Sequence, residues 1–466
     1  METIAVLQQR MADGELTSVD LVKQTLEAID HQQHLNAFIV VNQIPAIERA
    51  EQLDELRSSG NVLGPLHGLP IVVKDNVHVA GLPNTAGTSA LRGFVPSRDA
   101  SVVERLKAAG AIIIGKSNMH ELALGITSDN GVFGAVRNAH NDTYFSGGSS
   151  GGTATAIAAG IVPAGLGTDT GGSSRIPAAL NGIVGFRPTT GRYPADGLTR
   201  ISHTRDTVGP MGLSVADISL LDEILSGCSG PPLENITLEG LRLGIPRTYF
   251  YDNLEPVVEE KMEWLLARLQ DAGVSLIEAD ITNVGELTGK TGLPLVVYEA
   301  KELLSSYLKE NRLDNSLEGL LETIASPDVK AIMAMVVNNE VSRSAYMEAL
   351  EVHRVQLQSS YSNYFTRHKA DAVMFPTTAL TARPIKGSTD TVGLNGEEVP
   401  TFATFIRNTD PGSNAGIPGL TLPLSFSPAG MPIGVEIDGR KGADAHLLRV
   451  GATIENLIRE CTQGLQ

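Results

Sequence analysis

GLPIVVKDN (residues 68–76) is a β-branched run closed by Gly and Pro before it and by Asp-Asn after it, the composition of a short buried strand. A second such run, AAGAIIIGKSN (108–118), follows, and DASVVERLKAAG (99–110) between them spaces its apolar residues for a helix. Strand, helix and strand in this order read as a βαβ unit, which sets the two strands parallel in one sheet. Outward from this unit, strand patterns recur at IVPAGLGT (161–168), LRLGIPR (241–247), DAVMFPTT (371–378), LTLPLSF (420–426) and IGVEID (433–438). Helical patterns such as EPVVEEKMEWLLARLQDAG (255–273) and AHLLRVGATIENLIREC (445–461) separate or follow them. The expected fold class is therefore α/β, a large mixed, mostly parallel β-sheet covered by helices on both faces.

The chain has 466 residues, 42% of them hydrophobic, enough to bury a substantial core without staples. Its two cysteines, Cys228 and Cys461, are too few for a disulfide framework or a thiolate metal site, and this usage fits a reducing, cytoplasmic compartment. A formal net charge of -17 argues against nucleic acid or an anionic membrane as partner, because either calls for a basic face. METIAVLQQRMADGELTSVD lacks the basic and apolar regions of a signal peptide. The most apolar stretch, residues 153–167, is rich in Ala and Gly and broken by Pro163, so it reads as a buried helix running into a strand. In LTSVDLVKQTLEAID (16–30), Thr17 and Asp20 have capping-box spacing, and Val19, Val22, Leu26 and Ile29 share one helical face. Residues 1–60 are thus expected to form a helical segment. Residues 255–368, rich in charged helical patterns and poor in glycine, read as a helical insertion or cap within a single domain spanning 1–466.

Glycine, 48 in all, concentrates between Gly125 and Gly209, interleaved with Ser and Thr, and the tetrapeptide GGSS occurs there twice, at 147–150 and 171–174. Such glycines let backbone N–H groups approach either a phosphate at a helix N-terminus or the oxyanion of an acyl-transfer intermediate. The phosphate reading lacks its lysine, since neither loop continues as G-K-[ST] and no G-x-G-x-x-G opens a helix. Plain Gly-Ser turns also account for the composition. If one of these serines is a nucleophile, a base must take its proton. The G-x-S-x-G elbow is a poor match, and His120, His140 and His203 are each more simply structural or surface histidines. Lys74 ends an apolar strand, where burial favours its neutral, proton-accepting form. On spacing alone, a strand-end lysine is more often a solvated charge.

GGSSGGTATAIAAGIVPAGLGTDTGGSSRIPAALNGIVGFRPTTGR (147–192), with GLPIVVKDN upstream and DTVGPM (206–211) downstream, resembles the amidase signature family. The resemblance is strong over residues 63–209 and returns over 401–439. It implies the amidase signature fold and an acyl-enzyme mechanism with Ser173 as nucleophile, Ser149 after a cis peptide as the bridge, and Lys74 as base. It also implies an oxyanion hole from the backbone N–H groups of Thr170, Gly171, Gly172 and Ser173, a hydrogen bond of Ser150 near Lys74, and a buried Asp169–Arg175 ion pair bracketing the loop. Ser174 stands where the family more often has an aliphatic residue, and Ser146 where it often has proline. No cofactor and no metal are implied.

NMHELALGITSDNGVFGAVRN (118–138) and TFIRNTDPGSNAGIPGLTLPL (404–424) are most similar to the indoleacetamide and mandelamide hydrolase branch. That similarity implies a small, aryl-substituted primary amide cleaved to carboxylate and ammonia, with Gly125, Ile126, Thr127 and Asn130 lining the acyl pocket. The same core also fits an amidotransferase A-type subunit, or acyl transfer to an amine in a biosynthetic pathway. A catalytically silent interaction protein is the non-enzymatic alternative, and intact Lys74, Ser149 and Ser173 argue against it. The partners expected are a small-molecule amide and, at most, a second copy in a homodimer, with neither nucleic acid nor membrane.

Overall fold

The computed structural model describes residues 1–228, 233–234 and 236–463. Along the chain the strands are β1 (Phe38–Val41), β2 (Pro70–Lys74), β3 (Ile112–Ser117), β4 (Ala164–Asp169), β5 (Val184–Arg187), β6 (Thr207–Gly212) and β7 (Arg242–Ile245). They continue with β8 (Ser275–Glu278), β9 (Ala372–Pro376), β10 (Thr391–Leu394), β11 (Glu397–Pro400), β12 (Gly419–Phe426) and β13 (Pro432–Asp438). β10 and β11 pair with each other, and the rest form one 11-stranded sheet in the order β1-β3-β2-β4-β6-β5-β12-β13-β9-β7-β8.

The continuous apolar run of β2 is explained by cover on both faces. Ile71 and Val73 pack on one side with Val102, Val103 and Leu106 of helix Ser101–Ala108 and with Leu221 and Leu225 of helix Val215–Ser226. Val72 packs on the other, among Ala154, Ala156 and Ile157 of helix Gly151–Ala158 and Val22, Leu26 and Ile29 of helix Ser18–His31. Successive strand residues alternate faces, so a strand buried on both has no polar position to spare. Lys74, two residues beyond Val72, falls on the face covered by helix Gly151–Ala158, directly behind the first GGSS loop.

The sheet is mixed and helix-covered as expected, with β2 parallel to both β3 and β4. Its parallel share is smaller than the βαβ reading suggests. Parallel pairing is confined to β3-β2-β4 and β9-β7-β8, and the middle of the sheet runs antiparallel. LTLPLSF and IGVEID become β12 and β13, joined by a turn too short for the crossover that parallel neighbours require.

Residues 1–60 form helices Ile4–Ala12, Ser18–His31 and Gln43–Ser58 and the edge strand β1. Thr17 caps the second helix, accepting from the Asp20 N–H at 3.0 Å while Asp20 accepts from the Thr17 N–H. Residues 255–368 are not purely helical. Helix Pro256–Asp271 leads from β7 into β8, which extends the sheet, and only then do helices Val284–Glu310, Leu317–Thr323 and Pro327–Val337 gather around a separate core of Val297, Leu304, Leu320, Val329 and Met333. Among the described residues no helix is long and apolar enough to cross a membrane.

Candidate active site

Lys74 is fully buried, and its Nζ lies 2.8 Å from both Ser149 Oγ and Thr168 Oγ1. Thr168 Oγ1 also accepts from Asn76 Nδ2 at 3.1 Å. Burial lowers the Lys74 pKa to about 7, against the pull of Asp169 and Asp206 in the opposite direction. The amine can therefore exist neutral near physiological pH, able to accept a proton from the hydroxyl beside it. The Gly148–Ser149 peptide bond is cis. Ser150 bonds beside Lys74, to the backbone of Thr168, and not to the amine itself. Its hydroxyl donates to the Thr168 carbonyl and accepts from the Thr168 N–H, both at 3.2 Å, and its N–H donates to the Ser173 carbonyl at 3.1 Å. The two GGSS loops are thus stitched to each other and to the end of β4. No hydrogen bond joins the Ser149 and Ser173 hydroxyls.

The second loop is organised by Asp169, the last residue of β4. One carboxylate oxygen accepts from the Gly172 N–H at 2.9 Å and from Arg187 at 3.0 Å; the other accepts from the Ser174 hydroxyl at 2.9 Å and N–H at 3.2 Å. Arg175 bonds both oxygens at 3.1 Å and pairs on its far side with Glu436. Burial would raise the Asp169 pKa, but the Arg175 and Arg187 guanidiniums overcome it and hold the carboxyl well below the usual carboxylate range. The hydroxyl that Ser174 carries in place of an aliphatic group is one of these bonds. Ser146 likewise substitutes for proline by donating to the Gly151 carbonyl at 3.0 Å. Gly172 has φ +134°, and a Cβ there would run into the Thr409 hydroxyl, so the loop admits no side chain at this point. Because the Gly172 amide is committed to Asp169, the amides of Thr170, Gly171 and Ser173 are the ones with no protein partner.

A cavity of about 120 Å³ opens beside this loop. Ser173 lines it and is 7% exposed, whereas Ser149 is fully buried, so only the second-loop serine can meet a ligand. Gly125 and Ile126 line the cavity; Thr127 and Asn130 do not. The Thr127 hydroxyl faces His120 and accepts from the Asp129 N–H, and Asn130 spends its amide on the carbonyls of Gly87 and Met119. Leu293 and Val296 of helix Val284–Glu310, Ile332 of helix Pro327–Val337, and Phe402 and Ile406 also line the cavity. Leu293 and Phe402 remain exposed, which puts them at its mouth. The charges present, Arg205 and Asp410, are ion-paired, and Arg205 also donates to the carbonyls of Thr170 and Gly292 at 3.1 Å. None of His120, His140 or His203 lines the cavity.

The amidase family profile matches residues 20–448. The chain belongs to the amidase family. An indoleacetamide hydrolase of Allorhizobium ampelinum is 42% identical over 441 residues, 94% of each chain, and a mandelamide hydrolase of Pseudomonas putida is 41% identical over 95% of this chain and 89% of its own. Among solved structures, the native peptide amidase of Stenotrophomonas maltophilia superposes with a TM-score of 0.85 at 28% identity, covering 98% of this chain and 97% of that one. The protein is accordingly an amide hydrolase, acting on C–N bonds.

Several residues that shape this amidase's site escape a reading of its sequence. Thr168 and Asn76 stand at the C-terminal ends of neighbouring parallel strands, a signal that exists only once β2 and β4 are known to be adjacent. The cavity wall from residues 292–332 comes from a segment with no motif of its own, and Arg187 and Glu436, though inside stretches that resemble the family, carry no local signal of their pairing with Asp169 and Arg175.

Proposed function

We propose that this amidase cleaves a small, aryl-substituted primary amide to carboxylate and ammonia through an acyl-enzyme on Ser173, with Ser149 and Lys74 as the proton relay. The observation that carries the proposal is a buried lysine amine with a pKa of about 7, 2.8 Å from the Ser149 hydroxyl and one loop away from the cavity-lining Ser173. As Ser173 Oγ attacks the amide carbonyl carbon, its proton passes to Ser149 Oγ, and the Ser149 proton passes to Lys74 Nζ. The Ser149–Ser173 leg closes by rotation of the Ser173 hydroxyl when substrate binds, the tightening expected of such contacts. The tetrahedral oxyanion takes hydrogen bonds from the amides of Thr170, Gly171 and Ser173 that have no protein partner. Collapse breaks the C–N bond, the relay returns the proton to the leaving nitrogen, and water repeats the sequence in reverse roles to free the carboxylate.

Two features support an aryl acyl group. The relatives' names point to indoleacetamide and mandelamide, both aryl-bearing primary amides. The cavity walls are apolar, its charges are already paired, and its volume is of the order that accepts one aromatic ring, as an apolar cavity of roughly 150 Å³ takes benzene.

The test is ammonia release from indole-3-acetamide, mandelamide, phenylacetamide, propionamide and glutamine by the wild type and by Ser173→Ala. Turnover favouring the aryl amides, lost by at least about 10⁴-fold in a folded Ser173→Ala protein, is the expected result. Substantial turnover by the variant would move the nucleophile elsewhere; preference for glutamine or propionamide would overturn the substrate class.

A further inference from the structure

Next to the proposed acyl pocket lies a junction that the mechanism does not use. His120 is 1% exposed and Glu121 fully buried. The His120 N–H donates to the Ser149 carbonyl at 3.1 Å, tying it to the backbone of the relay serine. Its Nδ1 accepts from the Ser128 N–H at 3.1 Å, which leaves the ring proton on Nε2, and Nε2 lies 3.0 Å from Asp328 Oδ2, an electrostatic contact that is not aligned as a hydrogen bond. The ring also sits under Gly125, where any Cβ would strike the imidazole. Glu121 Oε2 accepts from the N–H groups of Ala325 at 3.2 Å and Ser326 at 2.9 Å, and the Gly131 N–H donates to Ser326 Oγ at 3.1 Å. Both ends of the loop 120–131 are therefore fastened to the start of helix Pro327–Val337.

That helix carries Ile332 into the wall of the same cavity that Ala123–Ile126 line. Asp328 and Ile332 are four residues apart and share a helix face, so whatever holds Asp328 also places Ile332. Between the fastened ends, Leu122 and Ala123 adopt φ of +51° and +58°, a conformation that residues with side chains rarely keep without contacts to hold them.

We infer that His120, Glu121 and Asp328 are positioning residues that clasp helix Pro327–Val337 to the Ser149 loop and so set the width of the acyl pocket, making them determinants of acyl-group selectivity. This rests on the reading of Ser173 and its cavity given above. The clasp acts through distance between two walls and not on the reacting atoms, so breaking it weakens the fit of a ring-sized acyl group while leaving the chemistry intact.

The experiment measures kcat and KM for phenylacetamide and propionamide with the full-length wild type, Asp328→Ala and Asp328→Asn, the last of which keeps a polar oxygen beside His120 Nε2. Circular dichroism and the rate of Ser173 labelling by a small fluorophosphonate report folding and intrinsic reactivity. Asp328→Ala is expected to raise KM for phenylacetamide about tenfold with kcat within about threefold, to leave propionamide within about twofold, and to be rescued by Asp328→Asn. Equal shifts for both amides, a slowed labelling rate, or an Asn variant as impaired as the Ala variant would overturn the clasp. Should Asp328→Ala fail to fold, Glu121→Ala removes the other strut and is read in the same way. A wild type that does not favour phenylacetamide defeats the substrate reading; the clasp then stands or falls on whether the variants change the ratio among the amides that are turned over.

Discussion

Between residues 147 and 187 the buried polar groups answer one another at short range, with Asp169 alone accepting from Gly172, Ser174, Arg175 and Arg187. The cavity that Ser173 lines takes its walls from segments as far apart as Ala123 and Asp410, and nearly all of its contacts are apolar. The difference separates two kinds of constraint. Hydrogen bonds and ion pairs in a dry interior are directional, and each lost partner leaves a costly orphan. Apolar walls are non-directional, so a change there alters fit by degrees.

Loss of the lysine should break the comparison most severely. Lys74→Ala is expected to reduce kcat/KM for the preferred amide by at least about 10³-fold, the scale of removing a positioned base. The wild-type pH profile tests the same group. Lys74 accepts a proton only when neutral, and its pKa is about 7, so kcat/KM should fall about tenfold per unit well below pH 7 and level off above it. A profile flat from pH 5 to 9 would rule out this base.

Next in size is Asp169→Asn, which leaves Arg175 and Arg187 short of their counter-charge in a fully buried site. The expected loss is about 3–5 kcal/mol of stability, read from denaturant unfolding, together with a lower Tm. The direction of the pH effect follows from the depressed carboxyl. Its contribution is present above the unfolded pKa of aspartate and is lost as pH falls toward the lower folded value, so the wild type's advantage over the variant should narrow in acid.

On the apolar side, Phe402→Ala should raise KM for an aryl amide by roughly three- to tenfold while sparing kcat, measured against propionamide as the reference. The smallest effect sharpens the contrast. Thr127→Val, a change that a pocket-lining role would make visible, should alter kcat/KM by less than about twofold, because Thr127 faces His120 and not the cavity.

What the sequence makes legible follows the same division. Lys74 could be placed at a strand end, and the GGSS loops next to a helix and a strand, because β-branched runs and small-residue helices announce themselves locally. The resemblance then supplied Ser149 and Ser173, and the geometry sets Ser149 against Lys74. Thr127 and Asn130 were expected in the pocket by position in a stretch whose backbone turns at Leu122, Ala123 and Ser128, and those left-handed residues, none of them glycine, carry no sequence signal. In the sequence His120 is an isolated histidine, because the residue its ring meets, Asp328, lies more than two hundred residues away.

By itself the sequence determined the local matters: which runs are buried on two faces, where Thr17 starts a helix, which strand ends in a lysine, and which block holds the serines and glycine-rich turns, since periodicity and backbone freedom act over a few residues. Only the tertiary structure decided which strands are neighbours, that burial brings the Lys74 amine to a pKa of about 7, and which distant apolar side chains enclose Ser173. Those properties depend on desolvation and on contacts across the chain, and neither exists until the sheet and its helices have closed around them.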